Sequence, residues 1–345
     1  MYNEKLFAKF CKERNIREST RKGYQSAIQH YLQVQKHSLE YLIEEALREE
    51  EEKIALKDRK LKKRLINFRN FLFDSKMSPN TLKTYLQKIK TVYNHFEVTI
   101  PNLPLAKYDT EYEINYLDLP GKFHIRQALD ISDVSLKAVI LFMSSSGTAK
   151  AETLSLTVEQ FINGCQEYHN GGSLDYILDT LERKKNVVPT FYLKRIKTDK
   201  YYYTFCSPEA SSYIVKYLKT RKDLKLSDKL FDFTPSKLLL RFQEINDRMG
   251  WGFKGKYRFF RSHTLRKYHA SNIGLTAEYI DALQGRSKNV IHETYIKTNP
   301  KKLKEVYVSV MDNVMINVLN EPDVVNQEFT VVVNVFLSGK EYNII

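Results

Sequence analysis

The chain has 345 residues, of which 42% are hydrophobic and 28% charged, so it is long enough for two domains with a sizeable core each. Its 55 lysines and arginines exceed its 41 acidic residues, and the resulting net charge of +14 favours a polyanionic partner, nucleic acid first. The 3 widely spaced cysteines argue against a disulfide framework, and the lack of a long apolar run predicts a soluble, intracellular protein without a membrane span.

Helical periodicity predicts an all-helical first domain over residues 1–98. An amphipathic helix is expected over 3–16, and Ser19 or Thr20 is placed to cap the helix that follows. Apolar residues at helical spacing predict one or two further helices over 38–73.

The last helix of this domain is predicted over 78–96, with Ser78 as its N-cap and Pro79 in its first turn. An apolar stripe indicates that one face of this helix is buried. The other face carries lysines that either form an ordinary solvated surface or lie against DNA phosphates, and both interpretations stay open: Lys83, Lys88 and Lys90.

A linker is predicted at 99–107, where Pro101 and Pro104 interrupt the helical period. A second domain, mostly helical with a small sheet, is expected over 108–320. The tail at 321–345 follows a Pro-Asp break and has strand character, so it either pairs with a sheet edge or another subunit as an exchanged strand, or folds back on its own domain.

Within the second domain, a turn of small residues leads into a helix from about Ala149, followed by a short strand at 156–161. Alternating residues over 190–207 predict a β-hairpin with an exposed basic turn at 197–200.

Helix starts are marked by Ser207 with Pro208 and by Thr276, which is placed to cap a helix over 277–283. The segment around Tyr295 is also predicted to be helical.

Several cationic and titratable residues of this domain suit phosphoryl transfer, which needs positive charge on the phosphate, an in-line nucleophile and an acid for the leaving oxygen. Arginine forks onto two phosphate oxygens, a histidine three residues before an arginine shares its helix face, and a tyrosine can form a covalent phosphoryl intermediate. The candidates are Lys150, Lys197, His263, Arg266, Arg286 and Tyr295.

Each candidate also has an ordinary interpretation. A tyrosine or histidine is more often part of a core, Lys197 could be ordinary turn chemistry, and Arg286 after a glycine could end a helix. A metal set of His263, His269 and His292 lacks any zinc spacing, so neither a metal nor a cofactor is expected.

The order of four blocks resembles the tyrosine recombinases of the phage integrase family, most closely the archaeal virus and plasmid integrases. The first two blocks are SSSGTAKAETLSL, similar to the first-arginine block, and RIKTDKYYYTF, similar to the catalytic-lysine hairpin. The other two are the His-x-x-Arg box HTLR and the terminal tyrosine block LQGRSKNVIHETY. The N-terminal helices resemble the core-binding domain of that family, so the likeness spans about residues 1–315.

This resemblance implies a fold that is mainly α with a small β-sheet: an all-helical, SAM-like core-binding domain and a mixed α/β catalytic domain. It implies site-specific recombination of a mobile element through a 3′-phosphotyrosine intermediate, with Tyr295 as nucleophile. Arg266 would be the second catalytic arginine, His263 the general base and Lys197 the general acid. The implied partners are double-stranded DNA attachment sites and three further copies of the chain in a tetrameric synapse.

The sequence departs from the family pattern at two positions. Arg286 stands where many relatives have histidine or tryptophan, and it can still donate to a phosphate. Lys150 stands where the first catalytic arginine is expected, and lysine keeps the charge but loses the bidentate fork, so weakened cleavage is expected. Two alternatives therefore stay open: a DNA-binding protein of recombinase descent with impaired cleavage, and a relaxing enzyme of the topoisomerase IB type.

Overall fold

The computed structural model describes residues 4–104, 115–286, 299–316, 333–337 and 340–344. The chain divides into two compact units, Met1–Tyr112 and Glu113–Ile345. None of the helices in the described ranges is long and apolar enough to cross a bilayer.

The first unit consists, over residues 4–104, of helices joined by short turns. These are α1 Glu4–Glu13, α2 Glu18–Gln35, α3 Leu39–Glu51, α4 Lys60–Asp74 and α5 Pro79–His95. Their apolar faces enclose one core, in which Phe10, Ile28, Leu65, Phe68 and Ile89 are each no more than 1% exposed.

Two helix starts in this unit were predicted, and one prediction is wrong. Ser78 caps α5 as expected, since its Oγ accepts the Thr81 N–H at 3.2 Å and Pro79 occupies the first turn. However, α2 begins before Ser19, with Arg17 at the N-cap position and no side-chain cap. The acidic Glu18 in the first turn favours this earlier start, because a negative charge there offsets the helix dipole.

The second unit is also mostly helical. Its helices are α6 Lys122–Asp130, α7 Val134–Ser146, α8 Lys150–Ser155, α9 Val158–Gly164, α10 Leu174–Arg183, α11 Pro208–Lys219, α12 Pro235–Arg248, α13 Ser262–Asn272, α14 Ala277–Leu283 and α15 Pro300–Val308. At the centre lies α7, which packs against α11 and α13 and is buried along most of its length. An all-round apolar helix of this kind belongs in a core.

The C-terminal end of α7 is polar although it is buried, and other elements satisfy its hydrogen bonds. The Ser207 N–H donates to Ser145 Oγ at 3.2 Å, and Thr204 Oγ1 donates to the Ser146 carbonyl at 3.0 Å. The Tyr307 hydroxyl donates to the Ser145 carbonyl at 3.0 Å. Two carbonyls that the helix end leaves open, and one of its hydroxyls, are thus bonded by three separate parts of the unit.

The strands form separate two-stranded antiparallel hairpins. They are β1 Thr190–Lys194 with β2 Tyr201–Phe205, β3 Phe253–Lys254 with β4 Tyr257–Arg258, and β5 Val333–Leu337 with β6 Lys340–Ile344. In the first, Thr190 faces Phe205 and Lys194 faces Tyr201, and the Arg195 N–H donates to the Lys200 carbonyl at 2.7 Å to close the turn. The predicted hairpin with its basic turn is therefore confirmed.

Other sequence predictions in this unit had mixed outcomes. The helix after Ala149 and the Ser207–Pro208 start of α11 are confirmed. The strand predicted at 156–161 is wrong, because Thr157 and Gln160 form a reciprocal capping box that starts α9 instead. Thr276 does precede α14, but its side chain makes no capping hydrogen bond.

The C-terminal tail contains the strand character that its sequence indicated. Its strands β5 and β6 pair with each other, with Val333 opposite Ile344 and Leu337 opposite Lys340. The exchange of this tail between subunits, like the boundaries 1–98, 99–107 and 108–320, stays a prediction.

Candidate active site

The His-x-x-Arg box lies on α13, and its arginine is the centre of the candidate site. Arg266 is only 3% exposed. Its guanidinium donates to the Gly147 carbonyl at 2.6 Å and to the Gln284 carbonyl at 2.8 Å. The side chain therefore joins the turn after α7 to the turn after α14, and two backbone carbonyls fix its orientation.

Both of these turns require glycine. Gly147 has φ +64°, and a Cβ there would lie 2.6 Å from His269 Nδ1. Gly285 has φ +63°, and a Cβ there would lie 2.6 Å from the ring of Tyr202. Glycine is thus needed for the left-handed backbone and for the close approach of the neighbouring side chains.

A second arginine, which the sequence reasoning missed, joins this site from the β1–β2 hairpin. The Arg195 guanidinium donates at 2.8 Å to the same Gln284 carbonyl that accepts from Arg266. Strand alternation could have identified it, since Phe191 and Leu193 are buried and Arg195 continues their face beyond the end of β1. The residue predicted from this hairpin is Lys197, which is exposed in the turn.

Arg286, directly after the Gly285 turn, completes a cluster of three guanidiniums. Burial, together with the charges of Arg286 and Arg195, lowers the pKa of Arg266 to about 10. Burial likewise lowers the pKa of Arg286, while Asp281 opposes that change. Within the described residues, none of the three forms an ion pair with a carboxylate, although the charges of Glu152 and Asp281 partly offset those of Arg266 and Arg286.

His263 lies at the edge of this positive cluster. Partial desolvation and then the charges of Arg261, Lys267, Arg266 and Arg286 lower its pKa to about 4. Because the His263 side chain is exposed to solvent, the surrounding cations explain its lowered pKa better than burial does. The imidazole is therefore neutral at pH 7 and can accept a proton.

His269, six residues further along α13, has a structural role. It is fully buried, and its Nδ1 accepts a hydrogen bond from Gln284 Nε2 at 2.9 Å. The same amide nitrogen donates to the Arg266 carbonyl, which fixes the orientation of the amide. Burial, with Arg266 and Arg286, lowers the pKa of His269 to about 3.

The two candidate lysines lie on segments that are attached to each other. Lys150 is the first residue of α8 and is half-buried. Two residues later the buried Glu152 accepts the Ile196 N–H at 3.3 Å, which ties α8 to the turn that carries Lys197.

The structure thus brings together His263, Arg266 and Arg286 of the predicted set and adds Arg195. Tyr295, the predicted nucleophile, lies outside the described residues, as does His292. In the part of the chain that is described, no group of three or more His, Cys, Asp or Glu side chains could hold a metal ion.

The lysines predicted on one face of α5 have different surroundings. Lys83 is exposed, and Lys90 is half-buried. Lys88 does not lie on a solvated face, since its ammonium is 5.6 Å from the ring centroid of Tyr24 and 5.9 Å from that of Tyr85, and burial lowers its pKa. Tyr85 is one turn away on the same helix, which explains why the lysine folds onto it.

Comparison with known proteins gives the fold. No family model matches the sequence, and no curated protein matches it either. The solved structures that match include recombinases and integrases, and the mostly helical fold with its small two-stranded sheet matches that of the tyrosine recombinase catalytic domain.

Two structures of lambda integrase superpose with a TM-score of 0.53. One is a tetramer bound to a Holliday junction, at 14% identity over 82% of this chain and 76% of that one. The other is a lambda integrase(75-356) dimer bound to a COC′ core site, at 12% identity over 84% and 96% of the two chains. The crystal structure of XerA recombinase matches at 15% identity over 88% and 96%, with a TM-score of 0.35. At these identities the likeness shows the fold alone.

Proposed function

We propose that this protein is a site-specific DNA recombinase that cleaves and rejoins DNA through a covalent 3′-phosphotyrosine intermediate. The observation that supports this most is the convergence of Arg195, Arg266 and Arg286, none of which forms an ion pair within the described residues, beside a neutral His263. Fixed guanidiniums of this kind stabilise the charge that develops on a transferring phosphoryl group. The tyrosine-recombinase fold agrees with this use.

Each residue then has a role in one displacement at phosphorus. Arg266 and Arg286 hold the scissile phosphodiester, and His263 accepts the proton of the Tyr295 hydroxyl as that oxygen bonds to phosphorus. The bond from phosphorus to the 5′ oxygen breaks, and Lys197 gives that oxygen a proton. The 5′ hydroxyl of the exchanging strand reverses these steps and releases Tyr295, so no external energy source is consumed.

Lys150 sets the main alternative. A lysine cannot fork onto two phosphate oxygens as arginine does, so the proposed enzyme cleaves more slowly than it would with arginine at 150. In the extreme case the chain is a DNA-binding protein of recombinase descent with impaired cleavage. A third candidate, a topoisomerase IB-like enzyme, would use the same chemistry without a specific site.

Double-stranded DNA attachment sites are the proposed partners, with a tetramer of this chain in the synapse. The net charge of +14 and the lambda integrase structures, which contain DNA and include a tetramer, support both parts of this proposal. Lys83, Lys88 and Lys90 are proposed as contacts of the first unit with DNA, with Lys88 acting from between its two tyrosines. A mobile element of the archaeal virus or plasmid type stays the proposed substrate.

The test is covalent trapping on nicked suicide duplexes whose core sequence is randomised. The DNA recovered in the adducts also identifies the DNA site that the protein prefers. The protein, Tyr295→Phe and Lys150→Arg are compared on a denaturing gel. We expect an adduct that Tyr295→Phe abolishes and Lys150→Arg increases. An adduct from Lys150→Arg alone would favour the impaired DNA-binding protein, and relaxation of plasmids that lack the selected site would favour the topoisomerase-like enzyme. If DNA is bound but no version forms an adduct, the catalytic proposal is wrong.

A further inference from the structure

The β3–β4 hairpin and the three residues after it contain four cations, and two of them form ion pairs. Arg258 forms a two-pronged ion pair with Asp247, at 2.8 and 3.0 Å, and Lys254 lies 3.4 Å from Asp118. Arg261 differs, since its guanidinium has neither an ion pair nor a hydrogen bond within the described residues, and its Nε is buried without a partner. The fold therefore restrains Arg261 without neutralising it.

Tyr257 provides this restraint. The guanidinium carbon of Arg261 lies 4.4 Å from the ring centroid of Tyr257, well within the range of a cation–π contact. The ring itself is 45% exposed, so the pair lies at the surface. A stacked guanidinium loses little freedom when it binds an anion, because its plane is already held.

The position of Arg261 places it in the positive surface of the candidate site. It directly precedes α13, two residues before His263, and its charge acts on that histidine together with those of Arg266 and Arg286. Neighbouring like charges repel each other. The arrangement becomes favourable when anions enter, and a DNA strand presents phosphates at regular intervals.

We infer that Arg261, held by Tyr257, binds a second DNA phosphate next to the one assigned to Arg266 and Arg286. The inference rests on the proposed function, since it takes the partner to be DNA. It makes Arg261 a binding residue that positions the strand, distinct from the residues proposed to act on the scissile phosphate.

The test compares Arg261→Gln with Arg258→Gln, which lies in the same segment and changes the net charge equally but removes a cation already paired with Asp247. Affinity for a duplex of unrelated sequence is measured from about 50 to 200 mM salt. Loss of one phosphate contact lowers the log–log salt slope by about 0.9, so wild-type affinity should fall about 3.5-fold more than that of Arg261→Gln over this range. Arg258→Gln should keep the wild-type slope.

A second variant tests the same contact without removing the arginine. Thermal unfolding of each protein is also recorded, to show that the variants are folded. Tyr257→Leu keeps the arginine but removes its ring, so it should lower the slope by part of the same amount. Equal slopes for Arg261→Gln, Tyr257→Leu and Arg258→Gln would overturn the inference while leaving the proposed function standing. If the wild-type protein shows no salt-dependent affinity for duplex DNA, both are wrong.

Discussion

Arg266 and Gln284 hold each other through reciprocal hydrogen bonds. The Arg266 guanidinium donates to the Gln284 carbonyl at 2.8 Å, and the Gln284 side-chain amide donates to the Arg266 carbonyl at 3.1 Å. The same amide also donates to His269 Nδ1. One fully buried glutamine thus connects the main chain of α13 to the turn that carries Arg286.

Replacing this glutamine should destabilise the second unit. Gln284→Leu removes one donor to the Arg266 carbonyl and leaves His269 Nδ1 without a donor, and a buried polar group left unsatisfied costs about 1–3 kcal/mol. The measurement is urea unfolding followed by the fluorescence of Trp251, the single tryptophan, which packs against the core of this unit. The exposed Gln166→Leu is the control and should change stability by less than about 0.5 kcal/mol. An equal loss of stability in Gln284→Leu and Gln166→Leu would mean that the Gln284 amide does not stabilise the site.

Gly285→Ala should lower the free energy of unfolding by more than the strain of a left-handed backbone alone explains. Alanine at φ +63° loses about 1–2 kcal/mol, and its Cβ would also meet the Tyr202 ring at 2.6 Å. Gly250→Ala is a matched control, because that glycine has φ +66° but nothing within 4 Å of the added Cβ. The same unfolding assay should give a larger loss at 285 than at 250. Equal losses would show that the ring moves aside without cost.

Stability should fall below pH 6.5 partly because of His269. Its pKa in the folded protein is about 3, below the ordinary value of about 6.5, so between these values the unfolded chain binds a proton that the native state does not. This destabilises the folded state as pH falls, by about 2 kcal/mol between pH 7 and 5.

His269→Gln should flatten that dependence, since glutamine does not titrate. Unfolding free energies of both proteins are compared at pH 5, 6, 7 and 8. The difference between them should be constant from pH 7 to 8 and shrink below that. A constant difference down to pH 5 would contradict the assigned pKa.

Arg195 should take over part of the role that Lys150 cannot fill. In the trapping assay we expect Arg195→Gln to lower the rate of adduct formation about 10²–10³-fold, the usual effect of removing one preorganised donor. If the two residues serve the same phosphate oxygens, Lys150→Arg should raise the rate more in the Arg195→Gln background than in the wild type. Equal gains in both backgrounds would show that the residues act independently.

Local chemistry was sufficient to predict several elements. Ser78 and Ser207, each followed by proline, mark helix starts through short-range hydrogen bonds, and the alternation over 190–207 defines a hairpin without reference to the rest of the fold. The short run at 156–161 was misread because apolar residues over so few positions fit a strand or a helix equally well. The capping box formed by Thr157 and Gln160 favours the helix.

The candidate site was less accessible from the sequence because its contacts are long-range. His263 and Arg266 were predicted to share a helix face, and both lie on α13. The role of Arg195 depends on a carbonyl 89 residues away, and the setting of Lys88 depends on Tyr24 of another helix. Neither contact follows from a spacing along the chain.

The buried end of α7 has a consequence for the order of events during synthesis. The turn at Gly147 that accepts from Arg266 directly follows Ser145 and Ser146, whose polar groups are satisfied by Thr204, Ser207 and Tyr307. The last of these contacts joins residues 162 positions apart. The polar end of α7 is therefore fully hydrogen-bonded only after α15 has been synthesised. An unfinished polypeptide can therefore contain Arg195, Arg266 and Arg286 before the end of α7 next to them has all of its hydrogen-bond partners.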